Sequence, residues 1–297
     1  MQSNSHANST TQLGQRAGAV HARSMPIRGA LQPYVCALTA VELDDTGPLP
    51  LAIAPHESMV LSVQLGRGPG GIEQKGRHGE LTGLTGIRQW TGSFTGAGDC
   101  ITLFALLTPL GSVQLLEGQP LAQMPRIRAR VDQLLDPQLT RQLESDIALA
   151  ATLDDKLHAF AAWLEARATA QRRISRAALR AGRAAMRVCA APALSMEAIA
   201  DEQHVSRRQL ERDFRHWIGT SPRHLGRVAR VQAVSRRAQA GAGLADIAAD
   251  VGFADQAHMS RVVKELTGLT PRRFVRSQHS PMAAAFRQAT AGGTIYL

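Results

Sequence analysis

The chain has 297 residues, room for two domains that each bury a core, and a formal net charge of +10. Cys36, Cys100 and Cys189 are too few and too scattered for a disulfide framework or a zinc cluster. Aromatic residues make up 4% of the chain, sparse for the stacking platforms of single-stranded RNA binders, and no apolar run approaches the roughly 20 residues that span a bilayer.

Residues 1 to 24 are Ser-, Asn-, Thr- and Gln-rich without an apolar centre, so a disordered lead-in is expected rather than a signal peptide. Strand-like runs follow at Tyr34 to Val41, Leu49 to Ala54, Met59 to Leu65 and Ile101 to Leu107. Breakers separate them, among them Asp44-Asp45-Thr46-Gly47-Pro48 and the stretch Gly66 to Gly71. Glycine-rich residues 79 to 98 suit tight turns in a compact β domain. After Pro109 the apolar spacing becomes helical, with Leu139, Leu143 and Ile147, then Leu153, Leu157, Phe160 and Leu164. An arginine-rich amphipathic helix is expected over Gln171 to Ala190, ended by Pro192. A boundary near residue 170 therefore divides a front domain, 25 to 170, from a helical domain, 171 to 280, with a tail from 281 to 297 of no assigned role.

Charge divides at the same place. Residues 1 to 170 carry 13 Lys/Arg against 15 Asp/Glu, and residues 171 to 297 carry 21 against 9, of which 20 are arginines. Basic residues confined to one domain indicate a polyanionic partner, and arginine favours bidentate contacts to phosphate and guanine.

That basic segment contains a repeat. Ile199-Ala200, Val205, Leu210, Phe214, Gly219, Ser221-Pro222 and Leu225 recur as Ile247-Ala248, Phe253, Met259, Val263, Gly268, Thr270-Pro271 and Phe274. Each copy reads as a short helix, a turn and a longer helix, so two helix-turn-helix units in tandem are predicted. Ser195 and Ser206 cap the helices of the first unit. Leu210, Phe214 and Trp217 face inward there, and Arg207, Arg208, Glu211, Arg212 and Arg215 form the outer ridge. In the second unit Gly252 supplies the positive φ of a sharp helix end and Asp255 the next cap. Met259, Val263 and Leu266 pack inward, leaving Gln256, Ala257, His258, Arg261 and Lys264 outside, where Gln and Arg suit base edges. His258 is equally compatible with packing and with a groove contact. Pro222 to Ala240 reads as a linking helix of about 25 Å, which keeps the two recognition helices a fixed distance apart.

The run from Ile247 to Arg261, continuing through Gly268-Leu269-Thr270-Pro271-Arg272-Arg273-Phe274, resembles the signature of the AraC/XylS family of bacterial transcription regulators, and the resemblance covers about residues 172 to 277. It implies an α+β protein of two domains. The front one is a small β-barrel-like (cupin-like) domain with trailing helices, and the other is all-α, two helix-turn-helix units on a linking helix. By the same resemblance Arg208, Glu211, Arg212, Gln256, Ala257, His258 and Arg261 occupy base-reading positions, and Glu211 is favoured as an orienter of its neighbouring arginines. Arg172, Arg173, Arg207, Arg227, Lys264 and Arg272 are expected on the DNA backbone. The implied partners are double-stranded DNA, RNA polymerase, an unidentified small effector on the front domain and, in some members, a second copy of the chain. No cofactor and no metal are expected, and the setting implied is the bacterial cytoplasm. Val263 stands where the family usually has Phe, and His204 where Gly is common in the first turn.

Enzymatic readings need the front domain. His56-Glu57, His78 and Glu80 lack a His-x-His pair or metal-ligand spacing, so surface loop positions are expected for them. Gly66 to Gly71 lacks the Lys-Ser/Thr ending of a phosphate cradle. A fused DNA-repair transferase would need a reactive cysteine, and Cys36 and Cys100 lie in apolar runs that suggest buried packing. A DNA-binding protein with an enzymatic or inert front domain is therefore the alternative, and a non-enzymatic regulator the favoured reading.

Overall fold

The computed structural model describes residues 19–44, 49–66, 81–87, 92–96, 100–122, 129–170, 173–192 and 194–277. Arg172, His78, Glu80 and the tail assigned to 281 to 297 lie outside them, as does most of Gly66 to Gly71.

The front region is an antiparallel sheet with helices against it. Its strands are β1 (Ala19–Met25), β2 (Val35–Asp44), β3 (Leu49–Ile53), β4 (Met59–Gly66), β5 (Leu81–Thr85), β6 (Gly92–Gly96), β7 (Cys100–Leu107) and the short β8 (Ala129–Arg130). Six strands lie in the order β1-β2-β7-β4-β5-β8, and β3 and β6 form a separate pair. Among the described residues the six-stranded sheet ends on β1 and β8 and does not close, so the barrel expectation becomes an open sheet with a small second sheet. Residues 19 to 24, expected within a disordered lead-in, instead form a strand, and the rest of that expectation lies outside the described residues. Residues Ala19–Met25 pair in continuous register with β2, from Ala19 opposite Asp44 to Met25 opposite Leu38. Backbone hydrogen bonds to a neighbouring strand order this segment, although its own composition is weakly strand-like.

Helices α1 (Pro109–Leu115), α2 (Pro137–Leu149) and α3 (Leu153–Thr169) follow. Thr152 and Asp155 close a capping box at the start of α3, satisfying two otherwise orphaned N–H groups. Phe160 and Leu164 of α3 join Leu38, Leu61, Leu84 and Leu103 of the sheet in one fully buried core, and each such leucine contributes about 1.5–3 kcal/mol. No helix among the described residues is long and apolar enough to cross a membrane.

The remaining helices are α4 (Arg176–Ala190), α5 (Met196–Glu202), α6 (Arg207–Asp213), α7 (Pro222–Gln239), α8 (Leu244–Asp250), α9 (Gln256–Thr267) and α10 (Pro271–Ser277). One π-helical turn, Phe214–Ile218, continues α6. Two apolar cores hold these helices. Ala181, Ala185, Ile199, Leu210, Phe214 and Leu225 belong to the first, and Val228, Val231, Ile247, Met259, Val263 and Phe274 to the second. Helix α7 contributes to both, through Leu225 near its start and Val228 and Val231 beyond it.

The two regions meet. Helix α1 packs along α4, and Ala54 of the front region lies in the second helical core. His56 and Glu57, expected at the surface, instead face this junction. His56 is buried, its Nδ1 accepting from the Ser58 N–H at 3.0 Å, and Glu57 pairs with Arg236 of α7 at 2.9 Å. Cys100 is buried as expected, but Cys36 is exposed. The sheet register shifts between Val35 and Ala37, and a slip there turns the intervening side chain out of the alternation.

Candidate nucleic-acid interface

Each unit is built from a short helix, a left-handed turn residue and a capped longer helix. In the first, Ser195 Oγ accepts from the Ala198 N–H at 3.1 Å and Ser206 Oγ from the Gln209 N–H at 3.2 Å. His204 sits between them at φ +54, a region that histidine tolerates better than most side chains. In the second, Gly252 has φ +81 and Asp255 Oδ1 accepts from the His258 N–H at 2.6 Å. These caps set where each long helix begins, and so which residues lie on its outer face.

On the first long helix, Leu210, Phe214 and Ile218 are buried and Trp217 is half-buried. Arg207, Arg208, Arg212 and Arg215 are exposed. Arg207 is tied to Glu197 at 2.5 Å and to Glu211 at 2.9 Å, so Glu211 is engaged with a neighbouring arginine. Arg208, Arg212, Arg215 and Glu211 line a cleft of about 660 Å³ bordered by Ala122 of the front region.

On the second long helix, Met259, Val263 and Leu266 are buried, and Gln256, Ala257, Arg261 and Lys264 are exposed. Val263, a departure from the signature the sequence resembles, is completely covered. His258 is half-buried, edge-on to the Phe253 ring at 5.6 Å, with Nδ1 accepting from the Ala254 N–H at 3.4 Å. Its ring thus contacts the turn.

Of the expected backbone contacts, Arg173 precedes α4 and Arg272 lies on α10, both exposed. Arg227 is half-buried and paired with Glu265, so it must release that carboxylate to reach a phosphate. Arg208, Arg261, Lys264 and Arg272 make no ion pair among the described residues, which leaves their charge available to an external anion.

Several participants were not singled out from the sequence. Arg230 lies 5.4 Å from the Phe253 ring centroid and donates to the Gly252 carbonyl at 3.1 Å. Burial, then the nearby Arg227 and Arg223, lower its pKa from the usual guanidinium range. Asp213 is buried on the first long helix, and its spacing of four from Gln209 was the one local hint that the two would bond.

The geometry defines a tandem helix-turn-helix module, each unit presenting an arginine-bearing helix. A family model described as a helix-turn-helix domain matches residues 199–277. Among solved structures, the chain is similar to the C-terminal domain of AraT, a response regulator from Geobacillus stearothermophilus, at 24% identity over 34% of this chain and 88% of that one, with a TM-score of 0.32. Unsaturated-fatty-acid-bound ToxT from Vibrio cholerae aligns at 11% identity over 84% of this chain and 97% of that one, with a TM-score of 0.41. The AraC-like transcriptional activator CuxR aligns at 13% identity over 66% and 79%, with a TM-score of 0.18. No match was found among curated protein sequences.

Proposed function

We propose that this chain is a sequence-specific transcription regulator that reads a bipartite double-stranded DNA site and is controlled by a small effector bound to its front domain, residues 25 to 170. The observation that carries the DNA-binding part is the pair of capped helices, α6 with its π turn and α9, whose outer faces hold Arg208 and Arg261 without an ion pair among the described residues. Arg208, Arg212, Gln256, Ala257 and Arg261 are the base-reading residues of this proposal, with Glu211 orienting and His258 shaping the second turn. Arg172, Arg173, Arg207, Arg227, Lys264 and Arg272 are its phosphate contacts. One linking helix, α7, sets the two readers about one duplex turn apart, roughly 34 Å, in successive major grooves.

Support for control by the front domain comes from where it docks. The Leu121 and Ala122 N–H groups donate to the His216 carbonyl at 2.9 and 3.1 Å, and Gln232 Nε2 of α7 donates to the Pro55 carbonyl at 2.7 Å. The front region therefore grips both the end of the first reader and the helix joining the two. A ligand that favoured one docked arrangement would shift the relative placement of the readers. RNA polymerase and a second copy of the chain complete the proposed partners, in a cytoplasmic setting.

Selection of bound fragments from a random duplex pool by the full-length chain tests the DNA reading. The expected result is enrichment of one site with two conserved segments. Recovery of fragments with no shared sequence would overturn sequence-specific reading.

A further inference from the structure

Asp213 is a carboxylate only 4% exposed on α6, a helix that also carries Arg207, Arg208 and Arg212. A buried carboxylate is costly unless its oxygens are paired, and both are. Oδ2 accepts from Arg180 Nε at 3.0 Å and Nη2 at 2.5 Å, which ties it to α4. Oδ1 accepts from Gln209 Nε2 at 2.7 Å. With its amide N–H₂ committed to Asp213, Gln209 can turn only Oε1 outward, and that oxygen accepts from Arg212 Nη2. An unbroken relay thus runs from the supporting helix, Arg180 to Asp213 to Gln209, and ends on an exposed arginine of the outer face.

The repeat supplies an internal control. At the offset of 49 that aligns the two long helices, Arg212 corresponds to Arg261, Gln209 to His258 and Asp213 to Val262. His258 is occupied with Phe253 and Ala254, and Val262 is an apolar core residue. Among the described residues Arg261 therefore has no equivalent tether. The two arginines stand at the same place in the repeat, one held and one loose.

We propose that Asp213 and Gln209 are positioning residues that aim Arg212 at one base pair, giving the first unit a sharper base preference at that position than Arg261 gives the second. The inference rests on the reading of α6 as a base-reading helix. A side chain held before binding loses less rotamer freedom on docking and tolerates a displaced partner less well. Discrimination, more than overall affinity, is what the relay supplies.

The test uses the full-length chain and duplexes carrying each base in turn at every position of its selected site. Arg212→Ala locates the base pair that this side chain reads, and Arg261→Ala the corresponding pair of the second unit. Gln209→Leu cuts the relay at a half-buried residue and leaves the Arg180–Asp213 pair intact. It is expected to lower discrimination at the Arg212 pair roughly tenfold, leave the Arg261 pair unchanged, and cause no further loss when combined with Arg212→Ala. Asp213→Asn, which keeps the shape but loses the charge, is expected to lie between Gln209→Leu and the parent. Unchanged discrimination in Gln209→Leu, or an equal loss on every sequence, overturns the relay while leaving base reading by Arg212 standing. If Arg212→Ala itself relaxes no position, base reading by that arginine fails and the relay with it.

Discussion

The Glu57 carboxylate meets the Arg236 guanidinium at 2.9 Å, joining the loop after β3 to the helix that links the two helix-turn-helix units. Next to it, Gln232 Nε2 donates to the Pro55 carbonyl at 2.7 Å in a buried setting. The two contacts hold the same junction but differ in weight. The Arg236 side chain is 40% exposed, and an ion pair open to water is worth about 0–1 kcal/mol. Loss of Gln232 strands a buried carbonyl, which costs about 1–3 kcal/mol. Gln232→Leu is thus expected to lower unfolding stability more than Glu57→Gln in urea titrations. The reverse order would show that the ion pair, not the buried bond, secures the junction.

Gly219 and Gly268 close equivalent helices at φ +74 and +75, yet their surroundings differ. A Cβ on Gly219 would fall 2.8 Å from the Leu121 carbonyl oxygen, whereas one on Gly268 would meet nothing within 4 Å. Gly268→Ala is expected to cost the backbone strain alone, about 1–3 kcal/mol. Gly219→Ala adds a collision with the front region, so its thermal midpoint should drop further. Equal losses would mean that the 121–122 segment moves aside freely.

Burial lowers the pKa of His56 below the ordinary imidazole value of about 6.5, outweighing the opposing influence of Glu57. The unfolded chain therefore takes up a proton near pH 6.5 that the folded chain refuses until lower pH. Stability is complete above that value and falls as pH drops from 6.5 toward the depressed folded pKa. His56→Gln should flatten the dependence of the melting temperature between pH 7.5 and 5.5. A parent chain equally stable at both ends of that range would contradict the account.

Arg272 and Arg208 are both exposed and make no ion pair among the described residues, but different losses are expected from them. Arg272→Ala should weaken all duplexes alike and reduce the slope of log affinity against log salt by about 1. Arg208→Ala should cost about 1–3 kcal/mol on the selected site and relax one base position. Binding curves across a salt series separate the two, and identical behaviour would remove the distinction between base and phosphate contacts.

The helical part was the more legible in the sequence because its instructions are local. Ser195, Ser206 and Asp255 cap helices a few residues away, and Ile199, Leu210, Ile247 and Met259 declare the inner face by spacing alone. What stayed hidden depends on partners far along the chain. His56 and Glu57 looked like loop polarity because Arg236 lies 179 residues from Glu57. Asp213 gave no sign that Arg180, on another helix, would neutralise it. Residues 19 to 24 looked like part of a polar lead-in because their order comes from pairing with β2. Cys36 was misjudged since a register shift is invisible in a run of apolar letters.

Hydroxyl-radical footprinting of the full-length chain on its selected duplex tests the central claim most directly. Two short protected segments on one face of the helix, centred about one turn apart, are the result that tandem readers on a single linking helix require. A single contiguous footprint of a few base pairs would contradict it.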